Sequence, residues 1–131
     1  MINLLIRYAV VFLVLTVGDA IWLNFFARAV VRPTLGGILL DDLRWWAVGA
    51  FYTLFAFGVM YFAVTPALRQ GAWTQAALSG ALLGFIAYMT YDMTNLATIK
   101  AWTVPLALVD MAWGTLISTV AATVGYWVRA V

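Results

Sequence analysis

The sequence lacks cysteine and histidine and has few charged residues of either sign. Without cysteine the chain can form no disulfide and no thiolate metal site. Without histidine it has no Ser–His catalytic pair and no histidine-ligated zinc. Glutamate is missing too, since all five acidic residues are aspartates. Charged chemistry therefore depends on five aspartates and seven basic residues.

Charged residues make up only 9% of the 131 residues, whereas 66% are hydrophobic. A soluble domain carries about 25% charged residues, so most of this surface must face lipid. The basic residues are scattered singly, and a net charge of +2 without a basic run predicts no nucleic-acid partner. The length suits a single transmembrane domain over residues 1–131. The expected partner is membrane lipid.

Four stretches are long and apolar enough to cross the hydrocarbon core, which takes about 20 residues. We expect an all-α membrane protein, a compact bundle of about four transmembrane helices with short connections. The predicted helices are 4–26, 45–64, 73–99 and 104–128. The longest connection, 27–44, contains Pro33 and two adjacent glycines. Both chain ends then lie on one side of the membrane, which we call the terminal end, and the other side is the distal end.

Three aspartates fall inside the predicted helices, and each costs at least about 2.5 kcal/mol at mid-membrane. Asp19 and Asp92 both precede the distal end of their helices by seven residues, and Asp110 follows the distal start of helix 4 by six. At about 1.5 Å per residue, all three lie about 10 Å below the distal end. This coincidence predicts one shared polar site. Its carboxylates must hold a proton, bind a cation or pair with basic residues nearby, because like charges in a low dielectric oppose each other's ionisation.

The predicted ligand-binding residues lie at this level or at its border. They are Asp19, Trp22, Tyr88, Asp92, Asn95, Lys100, Asp110 and Trp113. Tyr88 and Asn95 share a face of helix 3 with Asp92, at spacings of four and three. Trp22 and Trp113 each follow an aspartate by three residues. We assign no catalytic residue and expect no metal site and no cofactor. Helix 2 carries no charge along its span and is expected to face lipid or to form a packing wall.

Small residues recur at a spacing of four in two helices. Gly80 and Gly84 lie on helix 3, and Gly114, Ser118 and Ala122 lie on helix 4. Such stripes allow two transmembrane helices to approach closely. We favour packing within one chain over a dimer seam, and a homodimer or a larger membrane complex stays open as an alternative.

The strings around the three aspartates resemble a known family. They read Gly18-Asp19-x-x-Trp22-Leu23, Tyr91-Asp92-x-Thr94-Asn95-Leu96-Ala97-Thr98 and Val109-Asp110-x-x-Trp113-Gly114-Thr115. They are similar to the bacterial membrane proteins grouped as domain of unknown function 2177, and the resemblance covers essentially the whole chain. It implies a compact helical fold that is multi-pass in the bacterial inner (cytoplasmic) membrane. It implies no catalytic role for any residue.

Three functions are compatible with these features. The favoured one is binding of a cation, a proton or a lipid headgroup at the intramembrane aspartate and asparagine cluster. The second is an accessory subunit or assembly factor of a larger membrane complex, in which the aspartates only join helices. The third is a lipid-modifying enzyme with aspartate as general base or metal ligand. No phosphate-binding glycine loop or nucleophile motif supports an enzyme, so we lean against catalysis.

Overall fold

The computed structural model describes residues 1–129, and within this range the chain forms four long helices and no strand. Helix α1 is Ile2–Ile38, α2 is Trp45–Gln70, α3 is Trp73–Thr98 and α4 is Val104–Trp127. Near the start of α1, Arg7 donates hydrogen bonds to the carbonyl oxygens of Gly125 and Tyr126 at the end of α4. Both ends of the described chain therefore lie at the terminal end of the bundle.

Helix α1 continues well past Phe26, where the sequence predicted its end. It passes through a π-helical turn, Ala27–Val31, then an α-helical turn with Pro33, and finishes as the 3-10 turn Gly36–Ile38. A proline inside an α-helix lacks its N–H and clashes with the carbonyl four residues earlier. The wider π turn just before Pro33 relieves this conflict, so the helix bypasses the proline instead of stopping.

Helix α2 also has a π turn before a proline, and it also extends beyond its predicted end, Val64. The π turn Met60–Val64 precedes Pro66 by the same two residues, and helical structure then runs to Gln70. Gly71 ends the helix with a left-handed backbone, φ +68°. This conformation is easy for glycine and costly for residues with a Cβ. The turn into α3 is therefore very short.

Three helices, α1, α2 and α4, are long and apolar enough to cross a membrane. Helix α3 has 26 residues but lower hydropathy, because it carries Asp92, Asn95 and several hydroxyl side chains. It packs along α4, with Asp92 fully buried. The four helices make a compact all-α membrane bundle, as predicted.

Helix α4 is the centre of the bundle, packed against both α1 and α3. A Cβ added at Gly84 would lie 2.4 Å from the Ser118 hydroxyl oxygen, and one at Gly80 would lie 2.6 Å from the Ala122 Cβ. Backbones this close require small residues on both helices. The predicted packing of the small-residue stripes within one chain is confirmed.

Candidate functional site

Asp19 accepts three hydrogen bonds from three different helices. The hydroxyl groups of Tyr52 on α2 and Tyr88 on α3 donate to its Oδ2 atom at 2.7 and 2.6 Å. The indole N–H of Trp113 on α4 donates to its Oδ1 atom at 2.7 Å. The side chain is only 4% exposed. Asp19 thus joins all four helices through neutral donors, which is how a buried carboxylate is stabilised where water is excluded.

Tyr88 reaches Asp19 because α4 has no side chain at position 114. The Tyr88 ring lies directly over Gly114, where an added Cβ would approach it to 2.1 Å. Gly114 is itself buried. The glycine therefore serves two purposes, since it brings α3 close to α4 and clears the path of the tyrosine.

Trp22 and Trp113 form a reciprocal pair between the antiparallel helices α1 and α4. Trp113 donates to Asp19, and Trp22 donates to Oδ1 of Asp110 at 3.1 Å. The two indoles stack with ring centroids 4.8 Å apart and planes 5° from parallel. Each helix carries an aspartate followed three residues later by a tryptophan, and the opposite chain directions place each tryptophan beside the other helix's aspartate. The repeated Asp-x-x-Trp string is thus an interlock between two helices.

This pairing corrects the predicted common depth of the three aspartates. The stacked Trp22 and Trp113 lie level with each other, and the register is the same where Gly18 meets Ile117. Asp19 is three residues from this level on the terminal side and Asp110 three residues from it on the distal side, so their backbones differ in depth by about 9 Å. The prediction counted from an α1 end that the structure does not have, so the site spans two adjacent levels.

Asp92 and Asp110 form a pair of neighbouring carboxyl groups from α3 and α4. The Asp92 carboxyl lies beside that of Asp110 and near the Trp102 indole. Asp92 is 0% exposed, and neither of its oxygens has a hydrogen-bond partner among residues 1–129. The Trp102 indole nitrogen is likewise unpartnered within that range. Asp110 in contrast is bonded by Trp22 and also lines a cavity.

This cavity has a volume of about 350 Å³ and lies between all four helices. Two acidic groups, Asp19 and Asp110, contribute to its wall. The other lining residues are aromatic or aliphatic: Trp22, Leu23, Phe51, Tyr52, Ala87, Tyr88 and Tyr91. No basic residue is among them. The cavity is therefore acidic, aromatic and free of an internal counter-charge, and we call it the aspartate–aromatic cavity.

A groove of about 440 Å³ on the α1–α2 surface differs in chemistry. Its lining residues are Tyr8, Ala9, Phe12, Leu13 and Thr53, and it contains no charged side chain. Tyr8 already donates its hydroxyl to the Thr53 carbonyl oxygen at 3.0 Å. The groove offers an apolar surface typical of contact with lipid chains, and it presents no group that would fix a polar ligand.

Four residues of the predicted set do not line the cavity, and two of these four lie apart from the rest. Asn95 is half-buried on α3, one turn beyond Asp92, and Lys100 is exposed in the short turn before α4. The other six lie together: Asp19, Trp22, Tyr88 and Asp110 in the cavity wall, Trp113 bonded to Asp19, and Asp92 behind Asp110. Their role as ligand-binding residues stays a prediction.

Sequence reasoning missed the contribution of α2. Phe51 and Tyr52 line the cavity, and Tyr52 bonds directly to Asp19. A usable signal existed, because Tyr52 comes seven residues after the start of its helix at Trp45, the same count that placed Asp19 and Asp92. The prediction for α2 considered only charged residues and therefore missed Tyr52. Trp102, which lies beside Asp92, was also missed.

The family model described as predicted membrane protein, DUF2177, matches residues 4–127. The chain belongs to the DUF2177 family. The match includes all three membrane-embedded aspartates and both tryptophans of the interlock. No curated protein and no solved structure shows significant similarity to the chain. Membership of the DUF2177 family thus confirms the predicted resemblance and the membrane character, and it leaves activity to be argued from the site.

Proposed function

We propose that this protein binds the positively charged ammonium headgroup of a membrane-embedded amphiphile in the aspartate–aromatic cavity. The observation that carries the proposal is a cavity with two buried carboxylates and five aromatic or phenolic rings in its wall and no basic side chain. Buried acids inside a membrane-spanning bundle are costly unless they are compensated. An organic cation would supply the compensation that the lining lacks.

The aromatic wall favours an organic ammonium group over a bare metal ion. Rings of Tyr52, Tyr88 and Tyr91 line the cavity with the carboxylates, and an ammonium group is attracted to the faces of such rings as well as to the acids. Metal binding is less well supported. Within residues 1–129, no group of three or more His, Cys, Asp or Glu side chains lies close enough to hold a metal ion.

Access from the lipid supports an amphiphile over a freely soluble amine. Three lining residues are also strongly exposed on the outside of the bundle, Leu23 at 49%, Phe51 at 45% and Tyr91 at 55%. These side chains lie on helix faces that contact lipid in a membrane. A headgroup could therefore enter sideways between helices while its hydrocarbon chain stays in the bilayer.

The setting that fits this proposal is the bacterial inner membrane, crossed several times by the chain. A free amine and an ammonium-bearing lipid share the same binding chemistry, and the test below separates them. Catalysis is not part of the proposal, because neither carboxylate is matched to a nucleophile or to a phosphate-binding loop.

Native mass spectrometry in a neutral maltoside detergent tests the proposal. The probes are phosphatidylethanolamine, dodecyltrimethylammonium and, as a lipid without an ammonium group, phosphatidylglycerol. We expect retention of both ammonium amphiphiles, weaker retention of phosphatidylglycerol, and an affinity loss of at least about tenfold, or 1.4 kcal/mol, for Asp110→Asn. Asparagine keeps an acceptor for Trp22, so the fold survives. Asp42→Asn, in the exposed connection after α1, is the matched control and should bind normally.

Several outcomes would contradict the proposal. Equal retention of phosphatidylglycerol and phosphatidylethanolamine would mean that the headgroup charge is not recognised. Unchanged binding in Asp110→Asn would remove the carboxylate from the site. A stoichiometric protein partner, retained equally by both variants in the absence of any ammonium ligand, would favour an accessory subunit. Binding of ethanolamine alone at the affinity of the lipid would point to a soluble amine as the ligand.

A further inference from the structure

Asp92 is the one membrane-embedded aspartate that has neither a donor nor access to the cavity. It is 0% exposed, both oxygens are unpartnered among residues 1–129, and it is not in the cavity wall. An ionised carboxylate only accepts hydrogen bonds, and so does its neighbour Asp110. Two ionised groups side by side therefore repel each other and cannot bond. A single proton between them turns the contact into a hydrogen bond and removes one negative charge.

Among residues 1–129, the groups that act on the pair include no positive charge. Facing it are Trp102 from the α3–α4 turn, Trp22 and Asp19 from α1, Tyr52 from α2, and Tyr88 and Tyr91 from α3. These groups are neutral or acidic. No lysine or arginine is among them, so a proton or an external cation has to balance the pair.

A small apolar cluster covers the pair on its distal side, formed by Phe26, Leu35, Trp102, Leu106 and Ala107, and the cavity lies against Asp110. The extension of α1 beyond Phe26 supplies Leu35 to this cover. Asp110 is therefore the link between Asp92 and the ligand, because Asp110 belongs both to the pair and to the cavity wall.

We propose that Asp92 and Asp110 share one proton when the cavity is empty, and that binding of an ammonium group at Asp110 releases this proton. The inference builds on the proposed function and specifies how that site is regulated. As the cation enters, the proton passes from the carboxyl pair to water, so the net charge of the site is unchanged. Binding is thereby an exchange of one organic cation for one proton. Higher pH favours binding, because release of the proton then becomes easier.

The test measures the affinity of dodecyltrimethylammonium as a function of pH in the full-length protein. The charge of this quaternary probe does not titrate, so any pH dependence belongs to the protein. If one proton leaves per ligand bound, the affinity of the wild type rises about tenfold per pH unit across the exchange range. The amide introduced by Asp92→Asn donates to Asp110 at every pH and does not titrate. This variant should bind without pH dependence, whereas the control Asp42→Asn should keep the wild-type slope.

Infrared spectroscopy of the empty protein in vesicles gives a second readout that needs no ligand. We expect the C=O stretch of a protonated carboxyl group in the wild type and in Asp42→Asn, and its loss in Asp92→Asn. Ligand binding with no pH slope in the wild type would overturn the exchange while leaving the proposed function intact. Absence of the protonated-carboxyl band would overturn the shared proton. Failure of every ammonium amphiphile to bind, with the band present, would refute the proposed function and with it the exchange, and would leave only the shared proton.

Discussion

The two halves of the bundle differ sharply, although the same four helices form both. In the terminal half, small residues bring backbones into contact. Gly80 and Gly84 of α3 face Ser118 and Ala122 of α4, and Gly125 packs on the fully buried Val11. In the distal half, carboxylates and large rings hold the helices apart around the aspartate–aromatic cavity.

This contrast indicates that the two halves of the bundle have different roles along the membrane normal. Close packing between small residues is a main source of association between helices in lipid, where no hydrophobic force drives it. The terminal half therefore supplies the close packing that stabilises the bundle. This packing offsets the free-energy cost of the buried aspartates in the distal half. Substitutions confined to one half should therefore differ in their cost to the stability of the bundle.

The largest effect should come from opening the terminal half. Gly84→Leu places a bulky side chain where even a Cβ would lie 2.4 Å from the Ser118 hydroxyl oxygen and 2.5 Å from the Gly114 carbonyl oxygen. We expect destabilisation of at least about 3 kcal/mol, at the upper end of overpacking effects. Thermal or denaturant unfolding in detergent measures it. The control is Gly49→Leu, since nothing lies within 4 Å of a Cβ at Gly49. If the two variants are equally stable, the close packing of α3 against α4 does not stabilise the bundle.

The next largest effect should follow from removing the acceptor in the distal half. Asp19→Leu deprives Tyr52, Tyr88 and Trp113 of their hydrogen-bond partner. With about 0.6 kcal/mol per hydrogen bond between transmembrane helices, three lost bonds amount to about 2 kcal/mol. Asp19→Asn keeps two acceptor lone pairs and should lose less than half of that. Unfolding in detergent measures the stability of both variants. An Asp19→Leu variant as stable as the wild type would mean that the three donors find other hydrogen-bond acceptors.

A smaller effect is expected from the link between the two chain ends. Arg7 donates to the last carbonyl groups of α4 and places its positive charge at the negative end of that helix. Arg7→Met should destabilise the terminal half by about 1 kcal/mol, within the range for a charge at a helix end. Arg7→Lys should recover part of the loss. Hydrogen exchange of the last turn of α4 is the sensitive readout, and protection unchanged in Arg7→Met would contradict this role.

The smallest effect should come from the interlock of the two tryptophans. Trp22→Phe keeps an aromatic ring against Trp113 but loses the bond to Asp110. The expected loss is about 0.6 kcal/mol. In a double-mutant cycle with Asp110→Leu, which removes the acceptor, the two changes should couple, whereas Trp22→Phe and Asp42→Leu should be additive. Additivity in both cycles would show that the Trp22–Asp110 bond contributes nothing.

Much of the fold follows from composition and helix length. Four apolar stretches predicted the bundle, and the spacing of the glycines predicted which faces of α3 and α4 approach closely. The ends of α1 and α2 could not be predicted, because Pro33 and Pro66 ordinarily signal a helix end. The π turns before these prolines accommodate the proline rings and their missing N–H groups. No local residue pattern predicts a π turn.

The site was only partly predictable, since counting along helices gives depth but not neighbours. Depth indicated that Asp19, Asp92 and Asp110 belong to one region of the bundle. It could not show that Trp22 bonds to Asp110 and Trp113 to Asp19, because that depends on which helices touch and how each is rotated. Tyr52 was missed for a different reason. A single tyrosine on an otherwise apolar helix does not indicate, in the sequence alone, that a hydrogen-bond acceptor lies beside it.

Magic-angle-spinning NMR of the protein in vesicles tests the central claim most directly. The chain has five aspartates, so ¹³C-labelled aspartate gives five carboxyl signals, and dodecyltrimethylammonium carries ¹⁵N in its headgroup. We predict carbon–nitrogen dipolar dephasing of the Asp110 and Asp19 carboxyl signals and none for Asp41 and Asp42 in the exposed connection. Dephasing confined to Asp41 and Asp42, or absent from all five signals at saturating probe, would contradict binding in the aspartate–aromatic cavity.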